Sequence, residues 1–347
     1  MFSHNLTRLF IGGLTSLIGA LIAAGIGFPL PWLLGPLFTI AALRLMSAPV
    51  TTYKPLRNVG QWIIGATLGL YFSPDIARLV IAHWNVLVLG IVIAMVLAVW
   101  GTWLLCKIGQ VDVRTAWFSA AIGGASEMSV LAEKHGARVD LVASAHSLRV
   151  LGVVSIIPFG FEMLGFSGTD TAQLAYAGSG LSDLAIVGVA ATVVGGLFKR
   201  WGIASAWVIG PLLAAAVLTV AEVTATTMPT WIVNLGQLLL GWSLGDRYRP
   251  EFFKAAPRFL TAVGIYTLTA IAISVSAGQL LSRVSDLALP TIWLGIAPGG
   301  FAEMAITAKV LMLGVPMVTA FQVSRMTFVV LTTGWLYKRV VGPRFGP

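Results

Sequence analysis

Long uncharged apolar runs dominate this chain. No Asp, Glu, Lys or Arg occurs from Leu79 to Cys106, from Trp201 to Ala221 or from Phe259 to Ser282. A helix needs about 20 apolar residues to cross the hydrocarbon core. Lipid leaves helices or closed barrels as the ways to satisfy a backbone, and barrel strands would alternate apolar and polar residues over about ten positions. These runs do not alternate, so they predict an all-α polytopic membrane protein. The hydrophobic segments lie near 8–28, 29–47, 58–72, 79–106, 114–133 and 139–160. A second set lies near 183–199, 204–221, 231–246, 258–280, 289–309 and 315–337.

The two sets read as copies of one unit. Asn58, Gly60, Gln61, Gly65, Leu68, Gly69 and Pro74 recur as Asn234, Gly236, Gln237, Gly241, Leu244, Gly245 and Pro250, an offset of 176. The same offset carries Gly123, Gly124, Glu127, Met128 and Arg149 onto Gly299, Gly300, Glu303, Met304 and Arg325. At an offset of 175, Trp32, Gly35 and Pro36 match Trp207, Gly210 and Pro211. Leu, Ala and Val match by chance in apolar sequence; Asn, Gln, Glu, Arg and Pro in one register do not. The expected organisation is a first membrane repeat over 1–162, a polar linker over 163–182 and a second repeat over 183–347. Each half holds five to six transmembrane helices, one of them broken by glycines. Six spans per half would make the repeats parallel. Five spans and one non-crossing segment would make them inverted, a symmetry that repeat transporters use. Arg8 and the apolar run to Gly27 resemble a signal peptide, but this segment has a partner in the second set, which argues against cleavage.

Composition narrows the function classes. Of 347 residues, 57% are hydrophobic and 10% charged, against about 25% charged in soluble domains. The net charge of +9 fits Lys and Arg on cytoplasmic loops; no basic arm or zinc-finger spacing suggests nucleic acid. The single Cys106 excludes an intrachain disulfide, and the four histidines have no metal-ligand spacing. No P-loop is present. The chain is therefore expected to have no metal, no cofactor and no nucleic-acid partner.

The candidate chemistry sits at two matching breaks. Ile122-Gly-Gly-Ala-Ser-Glu-Met128 and Ala297-Pro-Gly-Gly-Phe-Ala-Glu-Met304 interrupt apolar segments. Unwinding there frees backbone groups at membrane depth, so the break should line a cavity or pack on protein. The restarted helix presents a partial positive charge and open N–H donors that suit an anion. Gly123, Gly124, Ser126, Glu127, Gly299, Gly300 and Glu303 are the candidate binding residues here. Glu127 and Glu303 would relay a proton or cation, or only offset the helix dipole. Arg149 and Arg325 sit midway along the last segment of each half, where an arginine costs about 2.5–3.5 kcal/mol on insertion scales and should face the interior. Paired with Glu127 and Glu303 they are structural; unpaired they are anion receptors. His146, three residues before Arg149, and its counterpart Gln322 complete the set. Imidazole could shuttle protons, or simply be a satisfied polar group. Gln61 and Gln237 precede Gly65/Gly69 and Gly241/Gly245, small residues spaced for close helix approach.

The doubled Gly-Gly-x-x-Glu-Met signature, Leu148-Arg149-Val150 and Trp32-Leu-Leu-Gly-Pro36 resemble the AbrB family of bacterial inner-membrane proteins. The resemblance covers nearly the whole chain and implies a duplicated membrane unit in the inner membrane. Its members carry conflicting labels: ammonia monooxygenase, AbrB-type regulator, transporter. A more distant similarity is to cation/proton antiporters and bile-acid-type symporters, which also have two repeats with broken crossing helices. Together these lead to an expected secondary transporter: a proton-coupled carrier or exporter of a small, anionic or neutral solute. Its partners would be that solute or ion and the bilayer, with homo-oligomerisation left open. A membrane regulator or sensor is the alternative. A monooxygenase would need a redox group that these residues are poorly equipped to hold, so no enzyme activity is expected.

Overall fold

Prolines start several of the helices in the computed structural model, which describes residues 2–166, 168, 180–224, 226–248 and 256–345. Pro31, Pro55 and Pro257 each occupy a first-turn position, where a missing N–H costs nothing and φ is already helical. The first six helices are α1 (Phe2–Gly25), α2 (Pro31–Leu45), α3 (Lys54–Gly69), α4 (Pro74–Ala82), α5 (Trp84–Lys107) and α6 (Val113–Ala120). They are followed by α7 (Ala125–Lys134), α8 (Val139–Met163), α9 (Leu181–Arg200), α10 (Ala206–Val220) and α11 (Thr230–Gly245). The last are α12 (Pro257–Ser282), α13 (Leu289–Ile296), α14 (Phe301–Val310), α15 (Val315–Leu336) and α16 (Gly342–Phe345), with a π-turn at Tyr337–Val341 between the final two. No strand occurs among the described residues.

Among the described residues six helices are long and apolar enough to cross a membrane, and this is a multi-pass α-helical membrane protein. The predicted segments map onto these helices with one departure. The third segment continues past its expected end as α4, bent by 89° from α3, and His83 separates α4 from α5. Most of the predicted linker at 163–182, and Pro250, lie outside the described residues.

The helices group into two compact units that cut across the sequence halves. One comprises Met1–Leu79, Pro158–Glu251 and Val310–Pro316; the other comprises Val80–Ile157, Phe252–Lys309 and Met317–Pro347. Each draws on both predicted repeats.

The first unit is assembled through glycines. Gly65 and Gly69 of α3 lie against the carbonyls of Val208 and Leu212 on α10, and Gly241 and Gly245 of α11 against those of Leu33 and Leu37 on α2. Gly35 of α2 meets Gly19 of α1, and Gly210 of α10 meets Gly195 of α9. Bare backbone on both sides lets helices approach closely and gain dispersion where lipid offers no hydrophobic drive. Gln237 is buried and Gln61 half-buried on these same helices. A salt bridge of 3.0 Å joins Arg44 to Asp246, and Arg44 also donates to the Val50 carbonyl at 2.9 Å.

The second unit is built on α5, α8, α12 and α15, with two short-helix pairs, α6–α7 and α13–α14. Leu97, Leu104 and Leu105 of α5 pack with Ala116 and Ala120 of α6 and Phe259 and Tyr266 of α12. Gly101 gives the Tyr266 ring its space, because a Cβ there would sit 2.5 Å from the ring.

The glycine seams predict a sharp positional contrast. Gly65→Leu must displace the Val208 backbone and should cost on the order of 1–3 kcal/mol or more. Gly196→Leu meets open space and should be neutral. Thermal midpoints in detergent check this; equal midpoints for the two variants would refute the seam.

Candidate functional site

A short helix that stops at membrane depth strands its last four carbonyls, and water is not there to take them. Both breaks in the second unit have this problem, and both solve it with side chains from neighbouring helices. Helix α6 starts on Asp112, whose carboxylate accepts from the Thr115 N–H at 3.1 Å. It ends at Ala120, where Ala121 turns to an extended ψ of 129. The Phe118 carbonyl is then taken by His146 Nε2 at 2.9 Å. Tyr266 Oη donates to the Ala120 carbonyl at 2.8 Å, and Arg149 Nη1 to that of Ala121 at 3.2 Å. Trp117 anchors α6 by donating to the Thr333 carbonyl on α15 at 3.1 Å.

The second break is wired alike. Gln322 Nε2 donates to the Leu294 and Gly295 carbonyls at 2.8 and 3.1 Å. Ser274 donates to Ile296 at 3.4 Å. Arg325 donates through Nη1 to Ala297 and through Nη2 to Gly299 at 2.9 Å. The separation from clamp to carbonyl is 28 residues for His146–Phe118, Arg149–Ala121, Gln322–Leu294 and Arg325–Ala297.

The arginines are 2% and 3% exposed. Among the described residues neither is in an ion pair. The alternative of structural Glu127–Arg149 and Glu303–Arg325 bridges is therefore not what forms. The charge of each arginine sits instead at the C-terminal pole of α6 or α13, where the helix dipole favours a cation. The remaining Nη2 of Arg149 donates to His146 Nδ1 at 3.0 Å, and that of Arg325 to Gln322 Oε1 at 2.6 Å. Tyr266 lies within hydrogen-bonding reach of Arg149 as well. Both Nε atoms remain buried without a partner.

The restarted helices carry the opposite compensation. Gly124 is the residue before α7, and its carbonyl accepts from Met128 N at 2.9 Å. Gly300 plays the same part for Met304 at 3.1 Å. Glu127 and Glu303 fold back over those glycines: a Cβ on Gly124 would lie 2.8 Å from Glu127 Cδ, and on Gly300 2.9 Å from Glu303 Cδ. This is the reach of the glutamate in a capping box. Gly123 and Gly299 are filled in the same way by Met128 and Met304, whose side-chain carbons approach to 2.8 Å. None of the four glycines has a positive φ. The Gly-Gly pairs therefore serve as clearance for these side chains rather than as backbone hinges.

The two breaks differ in exposure. Ser126 is exposed, and Gly123, Gly124 and Glu127 are half-buried. Gly299 and Phe301 to Ala308 are buried, Glu303 included at 9%, with only Gly300 between them half-buried. All eleven candidate residues lie in the second unit, at one or other break. Sequence reasoning missed Tyr266 and Ser274. Their signal was weak, because they are two of several polar side chains in the uncharged run Phe259–Ser282, although a buried hydroxyl needs a partner. No group of three or more His, Cys, Asp or Glu among the described residues could hold a metal ion.

These observations define a polytopic membrane protein with two arginine-braced helix breaks in one unit. The chain belongs to the AbrB family: residues 4–341 match the family model described as "Transition state regulatory protein AbrB". It is 26% identical over 341 residues to "Uncharacterized protein YhjN" of Bacillus subtilis (strain 168), covering 91% of this chain and 88% of that protein. It is 24% identical over 329 residues to "Putative regulator AbrB" of Escherichia coli (strain K12), covering 92% and 93% of the two chains.

The clamps predict an order of stability. Arg325→Met strips donors from two carbonyls and an amide oxygen, each worth about 1–3 kcal/mol when left unsatisfied. Arg149→Met strips one carbonyl and one ring nitrogen. Removing the buried charge offsets part of either loss. Arg325→Met should have the lower thermal midpoint, and both should fall below wild type; a midpoint at the wild-type value would contradict the clamp.

Proposed function

We propose that this protein is a proton-coupled secondary transporter in the bacterial inner membrane, a carrier or exporter of a small solute and not an enzyme. The supporting observation is the pair of interrupted helices in one unit, each with an arginine at one pole and a glutamate at the other. Interrupted helices at corresponding positions are the best sequence-level pointer to a transporter site. The recurrent 28-residue spacing supports a duplicated unit as its origin. No metal or cofactor enters this reading.

The geometry shapes the mechanism. With Glu127 folded over Gly124, its charge already occupies the positive pole of α7. Protonation of Glu127 removes that charge and leaves the pole and its N–H groups to the solute, so an anion would enter with a proton. Glu303 offers the same chemistry at a more buried site. Rocking of one group of helices against a fixed site would then alternate access.

A second reading is a membrane regulator or sensor. It is favoured by the words regulatory and regulator in the names of the family and of the Escherichia coli relative. Such a protein would bind its ligand at the same break and pass the signal to a partner.

The test is a thermal-shift panel of small mono- and dicarboxylates and inorganic ions on detergent-purified protein, followed by uptake of each hit into proteoliposomes under a pH gradient. A ligand at 100 times its Kd should stabilise the native state by about 2.7 kcal/mol. Glu127→Gln should abolish gradient-driven uptake while leaving solute exchange intact. Binding with no flux under any gradient would sink the carrier and support the sensor.

A further inference from the structure

His146 is a titratable group whose ring holds two parts of a break together. It is fully buried. Its Nε2 lies 2.9 Å from the Phe118 carbonyl and its Nδ1 lies 3.0 Å from Arg149 Nη2. A carbonyl can only accept and a guanidinium can only donate. The network therefore assigns a neutral ring with its proton on Nε2 and a lone pair on Nδ1. Gln322 does the same two tasks at the second break: its N–H groups donate to carbonyls and its Oε1 accepts from Arg325. The amide cannot take a proton near neutral pH; the imidazole can.

We propose that His146 is a proton site whose protonation releases Arg149 from the first break. A proton arriving at Nδ1 takes the lone pair that Arg149 uses, so that hydrogen bond breaks. It also sets two cations 3.0 Å apart in a buried site. Arg149 must then leave the ring, and its hold on the Ala121 carbonyl goes with it. The first break, with its exposed Ser126 and half-buried Glu127, opens on acidification. The second keeps its clamp, because Gln322 does not titrate. The charged and titratable groups around this switch are Arg149 on α8, Tyr266 on α12 and Arg325 on α15. Glu127 lies on α7, and the His135 and Tyr337 rings make tilted contacts with Phe118 at 5.2 and 5.4 Å between centroids. The consequence for coupling, that a proton on His146 frees Arg149 for an anionic solute, rests on the carrier reading; the switch itself does not.

The sign follows from linkage. A group that must be neutral in the native state binds more protons when unfolded. The native clamp is therefore expected to lose stability on acidification. The experiment compares thermal midpoints of the detergent-purified full chain at pH 8 and pH 5 for wild type, His146→Gln and Gln322→His. Every other titrating group is common to all three. Wild type should lose about 2–4 °C more than His146→Gln on going to pH 5, and Gln322→His should lose more than wild type. Matching pH profiles for wild type and His146→Gln would overturn the proposal. If His146→Gln does not fold, Gln322→His decides it: a drop no larger than that of wild type overturns it. No solute is needed, so a failure of the flux assay refutes the carrier without touching the switch.

Discussion

A carbonyl freed by a broken helix has no water to turn to inside a membrane protein, and the second unit is organised around that constraint. The half-helices α6 and α13 end on stranded C=O groups. Donors must therefore come sideways, from α8, α12 and α15. A long, multiply donating side chain can hold a stranded carbonyl and a second polar group at once, and a guanidinium does so at both breaks. Its desolvation cost is tolerated because the C-terminal pole of a helix and its carbonyls offset it.

The same reasoning accounts for the glutamates. Each break juxtaposes the negative end of one half-helix and the positive end of the next. An arginine sits at the first pole and a glutamate at the second, so four side chains serve two interrupted dipoles. This changes the chemistry expected of the half-helix N-terminus. It is not a vacant anion site: the glutamate side chain already lies over the capping glycine. Exposure then separates the breaks: the first, with Ser126 in its opening turn, is open, whereas the second is packed under Phe301 and Ala302.

The first unit follows a different principle. Its helices meet backbone to backbone through glycines, and the seams cross the halves: α3 lies on α10 and α11 on α2. The second unit instead combines apolar packing with polar clamps. A polar network that frees or holds its donors on protonation is a natural place for two conformations. A glycine seam, with no side chain to rearrange, is not.

Hydropathy, the 176-residue register and the unusual placement of charge were enough to read from the sequence a polytopic helical protein, its segments and both breaks. Lipid makes charge and irregular backbone so costly that each exception in an apolar run stands out. What Arg149 and Arg325 bind could not be read there, because carbonyl and carboxylate partners were equally reachable from their spacing. The role of the Gly-Gly pairs was hidden for a similar reason: a glycine needed for a hinge and one needed for clearance look alike in sequence, and only the folded-back Glu127 and Met128 tell them apart. The pairing of α3 with α10, the bend into α4 and the part played by Tyr266 were decided by tertiary packing alone, since each depends on which helix faces which, and apolar runs carry little information about their neighbours.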